Sequence, residues 1–440
     1  MRFLHLADLH FGKTLHGVSL LENGDQSDWV ERFLRLAGEC RPDAVVIAGD
    51  VYDRGAPSGA AMQLLSRMVT GITELGAAVL IAAGNHDSGQ RLSCFRELLS
   101  RQNVHIAGVP ERTLTHVTLR DAHGDVTFWL LPYVFPAAVA QLLGDETIRD
   151  YDAAVRRLLA AQDVDFSRRN VIVAHQNVTR GGAEGVRGGS ESMVGGVGQV
   201  DYTAFDGFDY AALGHIHAAY AVGRDAVRYA GSPLCYHFDE LRQAKKGSLL
   251  VELGEKGAAP RIETLTVPPL HPLRELRGAY DEVMTAAEQA GRGEYVRLVL
   301  TDRALTPEIG MYFEELFRRR DSVLMERVSE YRRFTGKGES PALQALKDRR
   351  VEELFADFCA ERAGGAPDAD DLALLRHAAE LLRHSDPGED GKTVDPALAE
   401  QLLAYLGIRS EPCARETGGT ATPPGTPGTG VLPVKAKGGA

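Results

Sequence analysis

Ala44-Val45-Val46-Ile47-Ala48-Gly49-Asp50-Val51-Tyr52-Asp53 is the stretch whose reading decides the fold. Five apolar residues in a row, too short for a core helix and rich in branched side chains, read as a strand buried on both faces. The run stops at Gly49, and carboxylates follow at Asp50 and Asp53. Two other stretches repeat the plan. Residues 3–7 (FLHLA) lead into Asp8-Leu9-His10, and Ala78–Ala82 leads into Gly84-Asn85-His86-Asp87. Between them, residues 28–40 and 58–75 carry apolar side chains at helical spacing: Trp29, Phe33 and Leu36, then Met62, Leu65 and Met68. Strand–helix–strand repeats of this kind imply parallel pairing with helices on the sheet faces.

Outward from there, strand signals dominate at residues 127–131, 171–174, 210–213, 226–230, 248–252 and 261–267. The expected fold class is α/β: a two-layer β-sandwich flanked by helices, over residues 1–269. The pattern changes at Pro268-Pro269. Residues 295–301 alternate as a strand, Thr306 caps a helix with Pro307 at its first position, and residues 323–328 close the unit. Residues 270–340 are therefore expected to form a small α+β capping domain. Residues 341–408 hold amphipathic C-terminal helices, the first with Val351, Leu354, Phe355 and Phe358 on one face. Residues 409–440 are rich in Gly, Pro and Thr without periodicity, and read as a disordered tail.

Composition limits the function classes. The 440 residues include 49 Lys+Arg against 61 Asp+Glu, a formal net charge of −12. Charge-driven nucleic-acid binding needs clustered Lys and Arg, so any nucleic acid must be held by local contacts or by a partner. No apolar run approaches the roughly 18 residues of a membrane helix. Cys40, Cys94, Cys235, Cys359 and Cys413 are scattered and odd in number, which supports neither a disulfide framework nor a zinc site. The expected setting is a reducing cytoplasm, without membrane attachment.

The chemistry gathers where strands end. Besides the three segments above, His175 ends the strand at 171–174, and Gly214-His215-Ile216-His217 ends that at 210–213. In open α/β sheets the carboxyl ends of strands form the ligand crevice. Carboxylates, imidazoles and one amide oxygen, without thiolate, suit Mn²⁺, Fe²⁺ or Zn²⁺ better than Ca²⁺. Asp8 and His10, like His215 and His217, alternate so that both can reach one ion, and Asp50 could bridge two. Two ions about 3.5–4 Å apart can activate a water and clamp an in-line phosphoryl displacement. His86, beside Asn85, suits a general acid for the leaving oxygen, with Asp87 as its orienting partner. Each motif alone is weak, since Asp and Asn are common turn residues. Five in order at strand ends are a much stronger signal.

Asp8-x-His10, Gly49-Asp50-x-x-Asp53, Gly84-Asn85-His86-Asp87, His175 and Gly214-His215-x-His217 resemble the signature of calcineurin-like binuclear metallophosphoesterases. A narrower resemblance adds Ala174-His175-Gln176-Asn177, Gly231-Ser232-Pro233 and Phe238-Asp239-Glu240, and is to the SbcD family, nuclease subunits of bacterial SbcC–SbcD complexes. The resemblance implies that Asp8, His10, Asp50 and His217 hold one Mn²⁺, and Asp50, Asn85, His175 and His215 a second. Mg²⁺ or another divalent ion could substitute. It further implies that His86 assists departure of the 3′-oxygen. Archaeal and eukaryotic relatives carry a second catalytic His where this chain has Asp53. The implied activity is exonuclease on duplex DNA ends and endonuclease on single strands and hairpins, in DNA repair, recombination and replication. The implied assembly is a heterotetramer with an SbcC-like ATPase, two copies of each, with this subunit as a homodimer. Val351, Leu354, Phe355 and Phe358 would dock on the ATPase.

Residues 179–198 form a Gly-rich stretch without the Lys-Ser/Thr ending of a P-loop. It reads as a surface loop in which Arg180 and Arg187 could contact a DNA backbone. Two other readings compete with the nuclease: a binuclear phosphatase or phosphodiesterase of small molecules or phosphoproteins, and a non-catalytic scaffold. The region after residue 270 argues against the first, and the complete ligand set against the second.

Overall fold

A computed structural model describes residues 1–181, 198–242 and 246–331. Arg187, and Val351, Leu354, Phe355 and Phe358 with the docking helix expected there, lie outside the described residues.

Two six-stranded sheets make the core. The first runs, in spatial order, Arg261–Leu265, Ser248–Glu252, Arg2–Leu6, Ala44–Ala48, Ala78–Ala82 and Val104–Ala107; its last four strands are parallel. The second runs Tyr220–Val222, Arg224–Tyr229, Tyr210–Gly214, Arg169–His175, Gly124–Leu131 and Thr115–Asp121. The four central strands of this sheet are also parallel.

Because side chains alternate along a strand, each central strand feeds two cores. Phe3, Val46 and Leu80 meet Phe128, Val171, Val173 and Tyr210 between the sheets. Leu4, Leu6, Val45, Ile47, Val79 and Ile81 face outward, under helices Asp25–Cys40 and Gly59–Glu74. Helices Pro136–Leu143 and Tyr151–Ala160 cover the other sheet. The result is a helix–sheet–sheet–helix sandwich, the α/β class expected. Continuous apolar runs are what strands sandwiched between two cores require, and each fully buried Leu or Phe contributes roughly 1.5–3 kcal/mol.

Beyond the sandwich lie three parallel strands, Leu273–Gly278, Tyr295–Leu300 and Val323–Ser329, with helices Tyr280–Glu288 and Pro307–Arg318. The Thr306 side chain caps the second helix through Ile309 N at 3.4 Å. The strand Leu273–Gly278 and its following helix exceed the unit read from sequence. Its Arg274, Glu275 and Arg277 hide the strand signal; each is held by an ion pair across the small sheet or at its edge. Tyr295 Oη donates to the buried Asp25 Oδ2 at 2.7 Å, which ties this unit to the start of the first long helix.

Candidate metal centre

The loops after the first-sheet strands are zipped together by backbone bonds. Asp8 N donates to Gly49 O at 3.0 Å, His10 N to Asp50 O at 2.9 Å and Phe11 N to Val51 O at 3.0 Å. His86 N reaches Asp50 Oδ1 at 2.9 Å, and from the second sheet His215 N reaches Asp8 Oδ1 at 3.0 Å. These turns are strained. Asp8, His10, Asp50 and His215 have φ of 54°, 42°, 49° and 102°. Such left-handed backbone costs non-glycine residues about 1 kcal/mol or more each, and it gathers at functional sites. Two glycines allow the close approach. A Cβ on Gly84 would stand 2.1 Å from Asp50 Oδ1, and one on Gly49, at φ +85°, would stand 2.2 Å from the His175 ring.

All seven expected ligands converge. Asp8, His10 and His217 present donor atoms within 4.8 Å of one another, as do Asp8, Asp50 and His175. His10 Nε2 and His217 Nε2 face each other at 3.2 Å. His175 Nε2 lies 3.3 Å from Asp50 Oδ2 and 3.0 Å from Asn85 Oδ1, and His215 Nδ1 lies 3.1 Å from the same amide oxygen. Asp8 belongs to both groups, so it is as central as Asp50.

Burial and close charge pairs together set the protonation of the pocket. Burial pushes the Asp8 carboxyl up. Burial also opposes charge on Asp50, but His175, His86 and His10 hold it well below the usual range. Burial lowers His10 to about 4 and His215 to about 3. For His175, burial is outweighed by Asp50 and Asp8, which hold its imidazole up at about 9. Asp8 Oδ2 is buried without a hydrogen-bond partner. Buried polar atoms are nearly always satisfied. An unsatisfied acceptor amid nitrogen and oxygen donors fits a divalent cation.

Residues 1–219 match the family model described as calcineurin-like phosphoesterase. Residues 269–363 match the SbcD_C model, described as type 5 capsule protein repressor C-terminal domain. The chain belongs to the SbcD family. It is 28% identical over 321 residues to the SbcD subunit of the SbcCD nuclease of Staphylococcus saprophyticus, covering 72% of this chain and 82% of that protein. As an SbcD-family calcineurin-like phosphoesterase, it is a metal-dependent phosphodiesterase.

Three placements differ from the sequence reading or extend it. Asp87 does not orient His86: its carboxylate accepts from Val51 N at 3.1 Å, Tyr52 N at 2.9 Å and Gly84 N at 2.8 Å. It staples two site loops, and burial beside Asp50 raises it to about 6. His86 is exposed, and its Nδ1 lies 2.9 Å from the Asp53 carbonyl, which accepts the ring proton in its place. Arg180 is exposed at the end of the short strand Asn177–Thr179.

Sequence reasoning missed the residues behind the site. Glu240, which the sequence shows only as the end of a Phe-Asp-Glu motif, is 1% exposed and lies 2.9 Å from His217 Nδ1. Lys246 Nζ reaches Glu240 Oε2 at 2.7 Å. Tyr236 packs edge-on to both His10 and His217. An acid a few residues after Gly231-Ser232-Pro233 was the available signal. By contrast, His5 is a satisfied core histidine, 3.0 Å from Tyr210 Oη and 3.1 Å from Leu213 O.

Proposed function

We propose that the chain is a Mn²⁺-dependent DNA nuclease, an exonuclease on duplex ends and an endonuclease on single strands and hairpins. The convergence of Asp8, His10, Asp50, Asn85, His175, His215 and His217 at one point between the sheets carries the reading. The name of the staphylococcal relative and the second matched family region support DNA over small phosphoesters.

Asp8, His10, Asp50 and His217 would hold one cation, and Asp50, Asn85, His175 and His215 the other. When bound, such a pair supplies charge neutralisation at phosphoryl oxygens and acidifies a water. The protein contributes the rest. His86 stands at the exposed rim, grouped with His10 and Asp50. With its Nδ1–H donated to the Asp53 carbonyl, its Nε2 is the atom that, once the ring has taken up a second proton, passes that proton to a leaving oxygen and returns to the neutral imidazole. Asp87 keeps the loops of Asp50 and His86 in register.

The acidic chain acts with an SbcC-like ATPase that grips the DNA, in a heterotetramer around a homodimer of this subunit. Phe95 and Leu98, 71% and 59% exposed, offer apolar surface for assembly. Val351, Leu354, Phe355 and Phe358 dock on the ATPase. The cytoplasm, where DNA is accessible, is the proposed location; among the described residues no helix is long and apolar enough to cross a membrane.

The test is a Mn²⁺ assay of the full chain on linear duplex, hairpin and small phosphoesters side by side. DNA cleavage is expected, with His86→Gln lowering kcat about 100-fold while Mn²⁺ binding persists. Turnover of small phosphoesters alone would overturn the nuclease reading. Deleting residues 345–440 should release the ATPase in co-purification; undiminished retention would refute the docking helix.

A further inference from the structure

The histidines of the two ion positions are supported differently. His217 Nδ1 lies 2.9 Å from Glu240 Oε1, and a carboxylate there only accepts, so Nδ1 carries the proton and Nε2 keeps its lone pair toward the pocket. Glu240 is itself held. Its Oε2 accepts from Lys246 Nζ at 2.7 Å and from Tyr236 N at 3.1 Å. Lys246 also donates to the His217 carbonyl at 2.7 Å and to Ser232 Oγ at 2.9 Å. One lysine thus ties down both the backbone of His217 and the acid behind its ring.

Across the pocket the plan repeats on another element. Asp53 Oδ1 stands 3.5 Å from His10 Nδ1 and accepts from Lys13 Nζ at 2.8 Å. Among the described residues no carboxylate–lysine pair stands behind the histidines of the second position. His175 Nδ1 lies 2.8 Å from the Ala48 carbonyl, which sets the tautomer without adding charge.

We infer that Glu240 and Asp53 are positioning residues for the ion position shared by Asp8, His10 and His217, and make it the tighter of the two. A carboxylate behind a ligating imidazole fixes the ring and raises its basicity, an effect typically worth about 10–100-fold in metal affinity. A neutral carbonyl supplies the orientation alone. Each lysine keeps its acid behind the ring. The inference rests on the proposed binding of two divalent cations.

The experiment measures Mn²⁺ binding to the full chain by calorimetry, with the coupled-pair signal in electron paramagnetic resonance as a second readout. His175→Ala leaves the position in question. Adding Glu240→Gln, which keeps shape and loses charge, should then weaken the remaining ion about 10-fold or more. In a His217→Ala background the same addition should leave the remaining ion unchanged. Asp53→Asn, paired with His175→Ala and with His10→Ala, repeats the cycle on the other wall should Glu240→Gln fail to fold. Equal effects in both backgrounds, or none in either, would overturn the inference. Wild-type protein binding fewer than two Mn²⁺ would instead remove the binuclear reading beneath it.

Discussion

The two sheets make unlike contributions to one site. Strand ends of the first supply Asp8, His10, Asp50, Asn85 and His86, which include both site carboxylates. Those of the second supply only imidazoles, His175, His215 and His217. Neither half is chemically complete. Buried carboxylates without counter-charge are expensive, and three imidazoles alone hold no charge to attract a cation. The site exists because the inner core packs the sheets together, so forming it and folding the sandwich are one event.

The largest effect expected separates the halves. Asp50→Asn should cut Mn²⁺-dependent cleavage by about 1,000-fold or more, since several kcal/mol of charge stabilisation depend on it at about 1.4 kcal/mol per decade. His175→Ala should do comparable damage from the other sheet. Activity surviving in His175→Ala alone would show that the first sheet suffices.

Phe3→Ala attacks the packing itself. The ring sits edge-on to Phe128 at 5.4 Å and to Tyr210 at 5.6 Å, both across the sandwich. A loss of about 3–5 kcal/mol is expected in urea unfolding. A smaller and more local loss should follow Gly84→Ala, where the added methyl meets Asp50. Roughly 1–3 kcal/mol of stability is at stake, with weakened Mn²⁺ binding in calorimetry. Wild-type binding by this variant would mean that the loop yields without disturbing Asp50.

The smallest effect lies at the opposite end of the sandwich, which ion pairs close. Arg169 Nη2 meets Asp121 Oδ1 at 2.5 Å, and its Nη1 reaches Gly254 O, just past a first-sheet strand, at 2.9 Å. The Arg169 guanidinium holds Asp121 well below the usual carboxylate range. A depressed folded pKa stabilises fully above the unfolded value of about 3.9; the contribution declines below that value and is lost only as pH falls through the folded one. Asp121→Asn should therefore lower Tm at pH 7, by about 1 kcal/mol or less in stability, and by somewhat less at pH 3, where part of the contribution is already gone. An equal drop at both pH values would make the contact steric.

Much of this was legible along the chain because strand periodicity and strand-end punctuation are local. Ala44–Ala48 and Ala78–Ala82 are strands with the residue bounds read from their apolar runs. The half-exposed strand Thr115–Asp121 carries charge and polar residues on one face, and its paired neighbour extends well before the apolar run at 127–131. Such strands hide in a scan for continuous apolar runs. Asp87 misled for another reason. Its place next to His86 suggested a partnership, but three amides drawn from two loops claim its oxygens.

Sequence alone thus determined the donor chemistry and the strands whose ends carry it, since both depend on residues a few positions apart. Tertiary structure decided which nitrogen of each imidazole faces the pocket, that Asp8 is as central as Asp50, and that Glu240 and Asp53 stand behind the ligands. Those facts depend on contacts across the sandwich, such as His10 meeting His217 over 207 positions of chain. No local pattern encodes the orientation of a ring; only the packed sheets and their second layer of hydrogen bonds impose it.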